Sequence, residues 1–338
     1  MGHMMDGKFS GILEGMRGKR VLILGDMIAD VYLTGKISRI SREAPVLVLE
    51  HQDERVVPGG ASNVVHNAAT LGGVAVAVGV VGEDKAADGL RTILSGKGVE
   101  VSGLVADAGR PTTAKTRVIA GGRATVSQQI VRIDKEDRSP LSEKVFARLR
   151  DFALAAVGQA DGAVLSDYGG SVVSDTLAAE VIAACKKHGV PTIVDSRYSI
   201  RRFVGVDYVK QNDAELSDAM GEELTDETSL RAAGERLRAE LSAKGVLVTR
   251  GEKGMTLCLE NGRAVDIPVV DKSEVFDVSG AGDTCVAAFI LAIAAGASPE
   301  DAARLANVAS GIAVRKMGTA TVSMEELRAA AAQQLGGI

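Results

Sequence analysis

Apolar residues along this chain fall into two alternating patterns. Short runs rich in Val, Ile and Leu are separated by stretches in which apolar positions return every three or four residues. The run at 20–26 (RVLILGD) predicts a buried strand, and those at 44–50 (APVLVLE), 74–82 (VAVAVGVVG), 161–167 (DGAVLSD), 190–196 (VPTIVDS), 207–212 (DYVKQN) and 245–251 (GVLVTRG) predict further strands. The spacing over 62–73, 84–97, 172–188, 213–220, 228–243, 281–296 and 299–316 predicts helices, with a short amphipathic one near 323–334. GMTLCLE and RAVDIPVV predict a hairpin turned at Asn261-Gly262. Strands alternating with helices in this way build right-handed βαβ units. The expected fold class is therefore α/β, a three-layer α/β/α domain with a mostly parallel central sheet.

Two stretches break the rhythm. Residues 31–58 and 110–134 are strand-like without helices between their strands. TTAKTRVIAGGRATVSQQIVRID (112–134) reads as an antiparallel hairpin turned at Gly121-Gly122, which does not fit a parallel core. Both stretches are expected in a small β-sheet lid beside the main sheet. No repeat or low-complexity linker divides the chain, so residues 11–338 are expected to form a single domain. Residues 1–10, which begin MGHMM, read as a tag remnant and a disordered N-terminus.

Composition narrows the function. The formal net charge over 338 residues is −5, which argues against a nucleic-acid partner, since such proteins usually present a basic face. A phosphate-bearing small molecule stays compatible, because a local site on an acidic protein can be cationic. Cys185, Cys258 and Cys285 share no close spacing and lie in apolar segments, as buried thiols of a reducing compartment do. His3, His51, His66 and His188 form no metal-ligand pair. No apolar run approaches a membrane span and no signal peptide precedes the first strand, so no membrane partner and a cytoplasmic location are expected.

The richest chemistry lies in EVFDVSGAGDTCVAAFILAIAAG (274–296), where Gly280-Ala281-Gly282 and Asp283 stand at the mouth of an apolar helix. A helix N-terminus presents unpaired N–H groups and partial positive charge, and glycines let an oxyanion approach its backbone. Asp283 beside such a site is placed to take a proton from a substrate hydroxyl during phosphoryl transfer. The helix dipole and any bound cation are expected to keep its pKa low. The alternative is a glycine-rich entry turn whose aspartate only complements the dipole. No Gly-x-x-x-x-Gly-Lys-Ser/Thr loop occurs, and no Gly-x-Gly-x-x-Gly follows the first strand.

DVSGAGD (277–283) resembles the D-T-x-G-A-G-D signature of the ribokinase-like (PfkB) carbohydrate kinases. GDMIAD (25–30), PGGASNVVHNAATLG (58–72), VGVVGED (78–84), KQNDAE (210–215) and VTRGEKG (248–254) resemble that family's other motifs, in order and over nearly the whole chain. Within the family the chain is most similar to the D-glycero-D-manno-heptose 7-phosphate kinases of lipopolysaccharide-precursor synthesis. The segments that carry this are GDMIADVYLTGKISRISREAPVLVLE (25–50), SQQIVRID (127–134) and SDYGG (166–170). Bifunctional relatives add a nucleotidyltransferase domain with a His-x-Gly-His motif, and these 338 residues hold no such motif.

The resemblance implies a ribokinase-like fold and transfer of the γ-phosphoryl group of ATP to a sugar hydroxyl. The narrower resemblance implies the anomeric hydroxyl of D-glycero-D-manno-heptose 7-phosphate. The alternative acceptor is another sugar or sugar acid, as in ribokinases, fructokinases or ketodeoxygluconate kinases. Asp283 would be the base, and Gly280, Ala281 and Gly282 the anion hole. Asp30, Gly59, Gly60, Asn63 and Asp167 would bind the sugar. Arg39 and Arg42 would hold its existing phosphate, unless they are simply exposed lid arginines. Asn212 and Glu215 would organise the Mg2+ and phosphate region through water, or else cap the helix that follows. Thr249, Gly251, Gly254 and Asn307 would lie along the nucleotide. Asp277, Ser279 and Gly318 fall where many relatives bind a monovalent cation, K+ being the candidate. Lid strands in this family often pair between subunits, which implies a homodimer. Two departures bear on the acceptor. Where relatives read D-Y-x-K-G this chain has Asp167-Tyr168-Gly169-Gly170-Ser171, and V-D-P-K has become Val194-Asp195-Ser196-Arg197.

Overall fold

The computed structural model describes residues 2–122, 125–269 and 275–335. The chain begins with helix α1 (Gly2–Met16) and continues through β1 (Arg20–Gly25), β2 (Met27–Ile40), β3 (Leu47–Gly60), α2 (Ala61–Thr70), β4 (Val74–Val81), α3 (Lys85–Ser95), β5 (Glu100–Ala106), β6 (Thr113–Gly122) and β7 (Thr125–Lys135). Then follow α4 (Glu143–Val157), β8 (Gly162–Asp167), α5 (Asp175–His188), β9 (Thr192–Ser196), β10 (Tyr208–Asn212), α6 (Asp213–Met220) and α7 (Glu227–Leu241). The last elements are β11 (Gly245–Thr249), β12 (Met255–Leu259), β13 (Ala264–Ile267), α8 (Ala281–Ala294), α9 (Pro299–Ala313) and α10 (Met324–Leu335).

Among the described residues, nine strands form one sheet in the order β13-β12-β11-β10-β9-β8-β1-β4-β5. Neighbours from β11 to β5 run parallel, and β12 and β13 add an antiparallel edge. β1, β4 and β8 are buried almost from end to end, as strands covered on both faces must be. The two-residue period decides which layer each side chain meets. Val21 and Ile23 join the core with α1, α2, α8, α9 and α10, while Leu22 and Leu24 join the core with α4 and α5. α8 is apolar on every side and buried from Asp283 to Ala292, which suits a helix enclosed by neighbours. The strand order reverses beside β1, where β4 lies on one side and β8 on the other, so a crevice opens at their C-terminal ends.

The second sheet, β3-β2-β6-β7, rises from that edge, because β2 starts at Met27 straight after β1 ends at Gly25. It joins two antiparallel pairs through a parallel β2–β6 contact. Gly121 and Gly122, expected to form the turn, are the last residues of β6, and residues 123 and 124 lie outside the described residues. Register assigns its faces. Asp30, Lys115 and Asp134 lie side by side, as do Tyr32, Arg117 and Arg132, so one face is charged. On the other face Ala29, Val31 and Ala114 pack on Leu90 of α3 with Val56 and Ala86.

Three expectations need correction. Residues 7–10, expected to be disordered, belong to α1, and Phe9, Leu13 and Met16 are buried in the core. Their i, i+4, i+7 spacing makes an apolar stripe that binds the helix to the domain. Residues 100–106 and 143–157, to which the pattern assigned no element, form β5 and α4. α4 opens on Ser142, whose hydroxyl caps the Val145 amide, and it buries Val145, Leu149, Ala153 and Val157 along one side.

His66 of α2 is half-buried, and neither ring nitrogen has a partner among the described residues. Burial, with Lys97 nearby, pushes its pKa down to about 4 from an ordinary 6.5. The ring is neutral in the fold and gains a proton on unfolding below 6.5, so its contribution is full above that pH and is lost as pH falls toward 4. His66→Leu should flatten the decline of Tm across that window. Parallel Tm–pH curves for the two proteins would exonerate the ring as an acid-sensitive group.

Candidate active site

Asp283 stands in the first turn of α8 and is 4% exposed. Asn63 of α2 donates from Nδ2 to Asp283 Oδ2 at 2.8 Å, and the Tyr168 hydroxyl donates to Oδ1 at 2.7 Å. Asn63 is itself fixed by Asn67, which donates to the Asn63 Oδ1 at 3.1 Å and accepts from Thr284 at 3.1 Å. Gly280 enters the helix at φ 77°, and a Cβ there would lie 2.6 Å from Asn63 Nδ2, so the turn accepts only glycine. Burial pushes the Asp283 pKa up to about 6, against the two hydrogen bonds that lower it. The sequence-based expectation of a low pKa is thereby corrected: enclosure by α2 and the turn after β8 outweighs the helix dipole.

A cavity of about 1030 Å³ opens beside Ala281 and Gly282. Asn212, Thr249, Gly251, Gly254 and Asn307 line it, together with Lys210, Val275, Val278 and Val314. Asn307 is tied down by its amide, which donates to the Pro268 carbonyl at 2.9 Å. The amides of Gly282 and Asp283, in the first helical turn, have no intrahelical carbonyl to reach. A Cβ on Gly282 would sit 2.8 Å from Lys210 Nζ, so the lysine closes in on the same turn. Burial opposes the charge of Lys210, but Asp195 at 3.0 Å and Glu215 at 4.0 Å outweigh it and hold the pKa above the ordinary lysine value. Asn212 and Glu215 close a reciprocal capping box on α6, with the Asn212 side chain on the Glu215 amide at 2.7 Å and the Glu215 side chain on the Asn212 amide at 2.8 Å. Among the described residues no three His, Cys, Asp or Glu side chains come together as a metal cage.

The charged face of the small sheet forms the opposite wall. Asp30 is buried and receives Arg117 Nη1 at 2.5 Å, and Arg132 bonds Asp134 at 2.7 Å. Gly60 and Gly59 end β3 opposite Met27 and Ile28, next to Asn63 in α2. Lys115 has no carboxylate within 4 Å among the described residues, and its ammonium stands 5.6 Å from the centre of the Tyr168 ring. Burial lowers its pKa, which the nearby Asp30 partly offsets. Asp167 is engaged elsewhere: its carboxylate takes the Ser196 hydroxyl at 2.6 Å and Arg202 at 2.9 Å. Arg39 and Arg42 are exposed at the far end of the β2–β3 pair, nine strand residues or more beyond Asp30, roughly 30 Å along the chain. Asp277, Ser279 and Gly318 do meet, since Asp277 accepts from the Ser279 amide at 2.8 Å and the Gly318 amide at 3.0 Å.

The departure at 167–171 has a structural reading. The turn wraps around buried Asp26, and a Cβ at Gly170 would lie 2.3 Å from Asp26 Oδ1. No side chain fits at 170 with this turn, so the missing lysine is replaced by a close backbone approach. Ser171 instead accepts Arg110 Nη1 at 2.8 Å.

A buried acid at a glycine-lined helix start, between a long cavity and a charged lid, is an arrangement suited to phosphoryl transfer. The sequence model described as pfkB family carbohydrate kinase matches residues 19–327. The chain belongs to this family of sugar kinases. It is 47% identical over 313 residues to the bifunctional protein HldE of Azorhizobium caulinodans, across 92% of this chain and 64% of that protein. The protein of the same name from Geobacter sulfurreducens is 42% identical over 307 residues, across 90% of this chain and 61% of its own length. The chain thus spans less than two thirds of these relatives. Arabidopsis thaliana ribokinase complexed with ribose and ATP superimposes with a TM-score of 0.71 at 22% identity, over 95% of this chain and 99% of that one. Escherichia coli phosphofructokinase-2 in complex with potassium gives 0.74 at 24% identity, over 94% and 99%. These two likenesses establish the ribokinase-like fold. Among the described residues no helix is long and apolar enough to cross a membrane.

For this pfkB-family kinase, sequence reasoning singled out Asp283, Asn63 and the glycine turn, and the fold brings them together. It missed Tyr168, Lys210, Lys115, Asp26 and Asn67. All but Lys115 lie inside the segments that carried the resemblance, so the motifs marked the places without marking the side chains.

Asp283→Asn should fold, and its kcat should fall by about 10²–10⁴ if the carboxylate is the base. Because burial raises the folded pKa, the wild-type carboxylate loses stability as pH rises from 3.8 through about 6. The Asn variant should therefore melt no lower than wild type at pH 8. Gly280→Ala should lose roughly 1–2 kcal/mol from its left-handed backbone and also depress kcat by displacing Asn63. Calorimetry beside steady-state rates checks both; an Asn variant at near wild-type speed would leave the motif as structure alone.

Proposed function

We propose that this sugar kinase transfers the γ-phosphoryl group of ATP to the anomeric hydroxyl of D-glycero-D-manno-heptose 7-phosphate, a step toward lipopolysaccharide precursors. The observation that carries the reading is the position of Asp283, walled off from solvent where the long cavity and the charged lid face converge. Relatives at 40–47% identity bear the name bifunctional protein HldE, and the motifs at 25–50, 127–134 and 166–170, which resemble those of heptose 7-phosphate kinases, favour this acceptor. ATP would lie along Asn212, Thr249, Gly251, Gly254 and Asn307 with its terminal phosphate toward Gly282. Asp283, ionised, would draw the proton from the sugar hydroxyl as its oxygen meets phosphorus. The free amides of the first turn and the ammonium of Lys210 would stabilise the charge that spreads over the phosphoryl oxygens.

Mg2+, when bound, would neutralise charge on the nucleotide phosphates. Asn212 and Glu215 already serve the capping box, so they suit contact through water rather than a direct cage. A monovalent cation such as K+ would sit near Asp277, Ser279 and Gly318, where the Asp277 carboxylate draws the other two segments together by accepting from their amides. Three buried free cysteines suit the reducing cytoplasm. A homodimer through the lid accounts for Val131, Ile133 and Ile40, which are 46%, 56% and 66% exposed on the small sheet.

On the acceptor side, Asp30 and Asp134 are paired with Arg117 and Arg132, which leaves Lys115 unmatched among the described residues and suited to a substrate phosphate. It replaces Arg39 and Arg42 in that role within one subunit. A different phosphosugar is the second reading, and the specific observation favouring it is the absence of room for a lysine at 170.

A screen of phosphorylated and unphosphorylated sugars for magnesium-dependent ADP release tests the activity, with heptose 7-phosphate expected to lead. Lys115→Gln should raise KM for that phosphosugar by about tenfold or more, as loss of a charge-assisted contact does, and leave KM for ATP unchanged. A rise in KM for ATP alone would assign the lysine to the nucleotide. Val131→Lys combined with Ile133→Lys should convert a dimer to monomer in analytical ultracentrifugation, and an unaltered sedimentation coefficient would remove the lid from the interface.

A further inference from the structure

We infer that Tyr168 is a positioning residue for Asp283, and that the buried carboxylate of Asp26 holds Tyr168 in place. The inference rests on the phosphoryl-transfer reading of Asp283 for its consequence, and on geometry alone for the contacts. Each oxygen of Asp283 receives one donor, from a different part of the fold: Asn63 Nδ2 at 2.8 Å and the Tyr168 hydroxyl at 2.7 Å. Two donors from two directions stop the carboxylate from rotating and leave each oxygen a further lone pair with which to accept.

Tyr168 is in turn fixed through its backbone. Its amide donates to Asp26 Oδ2 at 2.8 Å, and the Gly170 amide donates to the same oxygen at 3.1 Å. Asp26 follows β1 directly and is 5% exposed, so the turn closes around a carboxylate anchored in the central sheet. Close approach at Gly170 completes this, since any Cβ there would meet Asp26 Oδ1. The path from the sheet to the base is therefore Asp26, the 168–170 turn, the phenol and Asp283. Nothing in the composition of the turn alone points to it.

The electrostatic surroundings make the phenol a permanent donor. Burial raises its pKa well above the ordinary tyrosine value, and the carboxylates of Asp283, Asp195 and Glu215 add to the rise. Lys115 of the lid stands over the ring, while Asp195 of β9 and Lys210 of β10 act on Asp283 itself with opposite sign. Tyr168 thus lowers the pKa of Asp283 without exchanging a proton with it. Remove the hydroxyl, and burial remains while one of two compensating bonds disappears.

The test is Tyr168→Phe in the full chain, with the carboxyl of Asp283 followed by 13C NMR titration of ligand-free protein and identified by its loss in Asp283→Asn. The Asp283 pKa should rise from about 6 by roughly one to two units, the usual worth of a hydrogen bond to a charged group. The acid limb of kcat/KM for the sugar that wild type uses should move up by the same amount, with KM for ATP unchanged. Asp26→Asn keeps the phenol but loosens its turn, so kcat should fall with a smaller displacement of the limb. An unmoved Asp283 titration in Tyr168→Phe overturns the inference, and so does a lower Tm with the limb in place. Wild type that consumes ATP with none of the sugars refutes the kinase reading, and the NMR shift is then still read on its own.

Discussion

One buried carboxylate sets the terms for the rest of this molecule. A charged Asp283 enclosed among α2, α8 and the turn after β8 is costly unless its oxygens are bonded, and burial raises its pKa to about 6 even with two donors. Those donors are 220 and 115 residues away in sequence. To bring them to one point, α2 must cross the N-terminus of α8 and β8 must end beside β1. The Asn63–Asp283 bond and the Thr284–Asn67 bond tie the two helices together at that crossing, so satisfying the carboxylate also docks the helices.

The same carboxylate divides the crevice. On one side lies the cavity between β10, β11, α8 and α9, with Lys210 at its inner end. Lys210 and its partners Asp195 and Glu215 form a triad that carries net negative charge, so the lysine stays protonated and close to Gly282. On the other side the wall belongs to a sheet that is charged toward the crevice and apolar toward α3. The alternation of β2, Asp30 and Tyr32 against Ala29 and Val31, produces both faces from a single strand. A register slip of one residue would turn Asp30 into the apolar packing and withdraw the lid's charge from the site.

Attachment of the lid follows from chain geometry. β1 passes into β2 through Asp26 alone, and β3 passes into α2 at Gly60, so the lid's root, the tyrosine turn and the helix bearing Asn63 share one small region. The Met27–Gly60 pairing and the Ala61 amide, which donates to the Asp26 carbonyl at 3.1 Å, fasten that region to the sheet. Attachment of the small sheet and the placement of Asp283 therefore depend on the same few contacts.

Much of the architecture was legible in the amino-acid order. The apolar runs at 20–26, 74–82 and 161–167 read as strands and are strands of the central sheet, and Gly280-Ala281-Gly282-Asp283 before an apolar run reads as the entry to a helix and is one. α1 was hidden because a tag-like opening masks a stripe of only three apolar residues, and α4 because polar residues between its buried positions dilute the period. Asn63 was singled out for the sugar and not as a donor to Asp283, and the other groups around the carboxylate could not be read. Tyr168, Lys210 and Asn67 gain their meaning from distances between strands and helices far apart in the chain, and local pattern carries no information on those distances. The pKa of Asp283 was misjudged for the same reason. The helix dipole is a property of the local segment, whereas the burial that overrides it exists only once the tertiary structure has closed around the side chain.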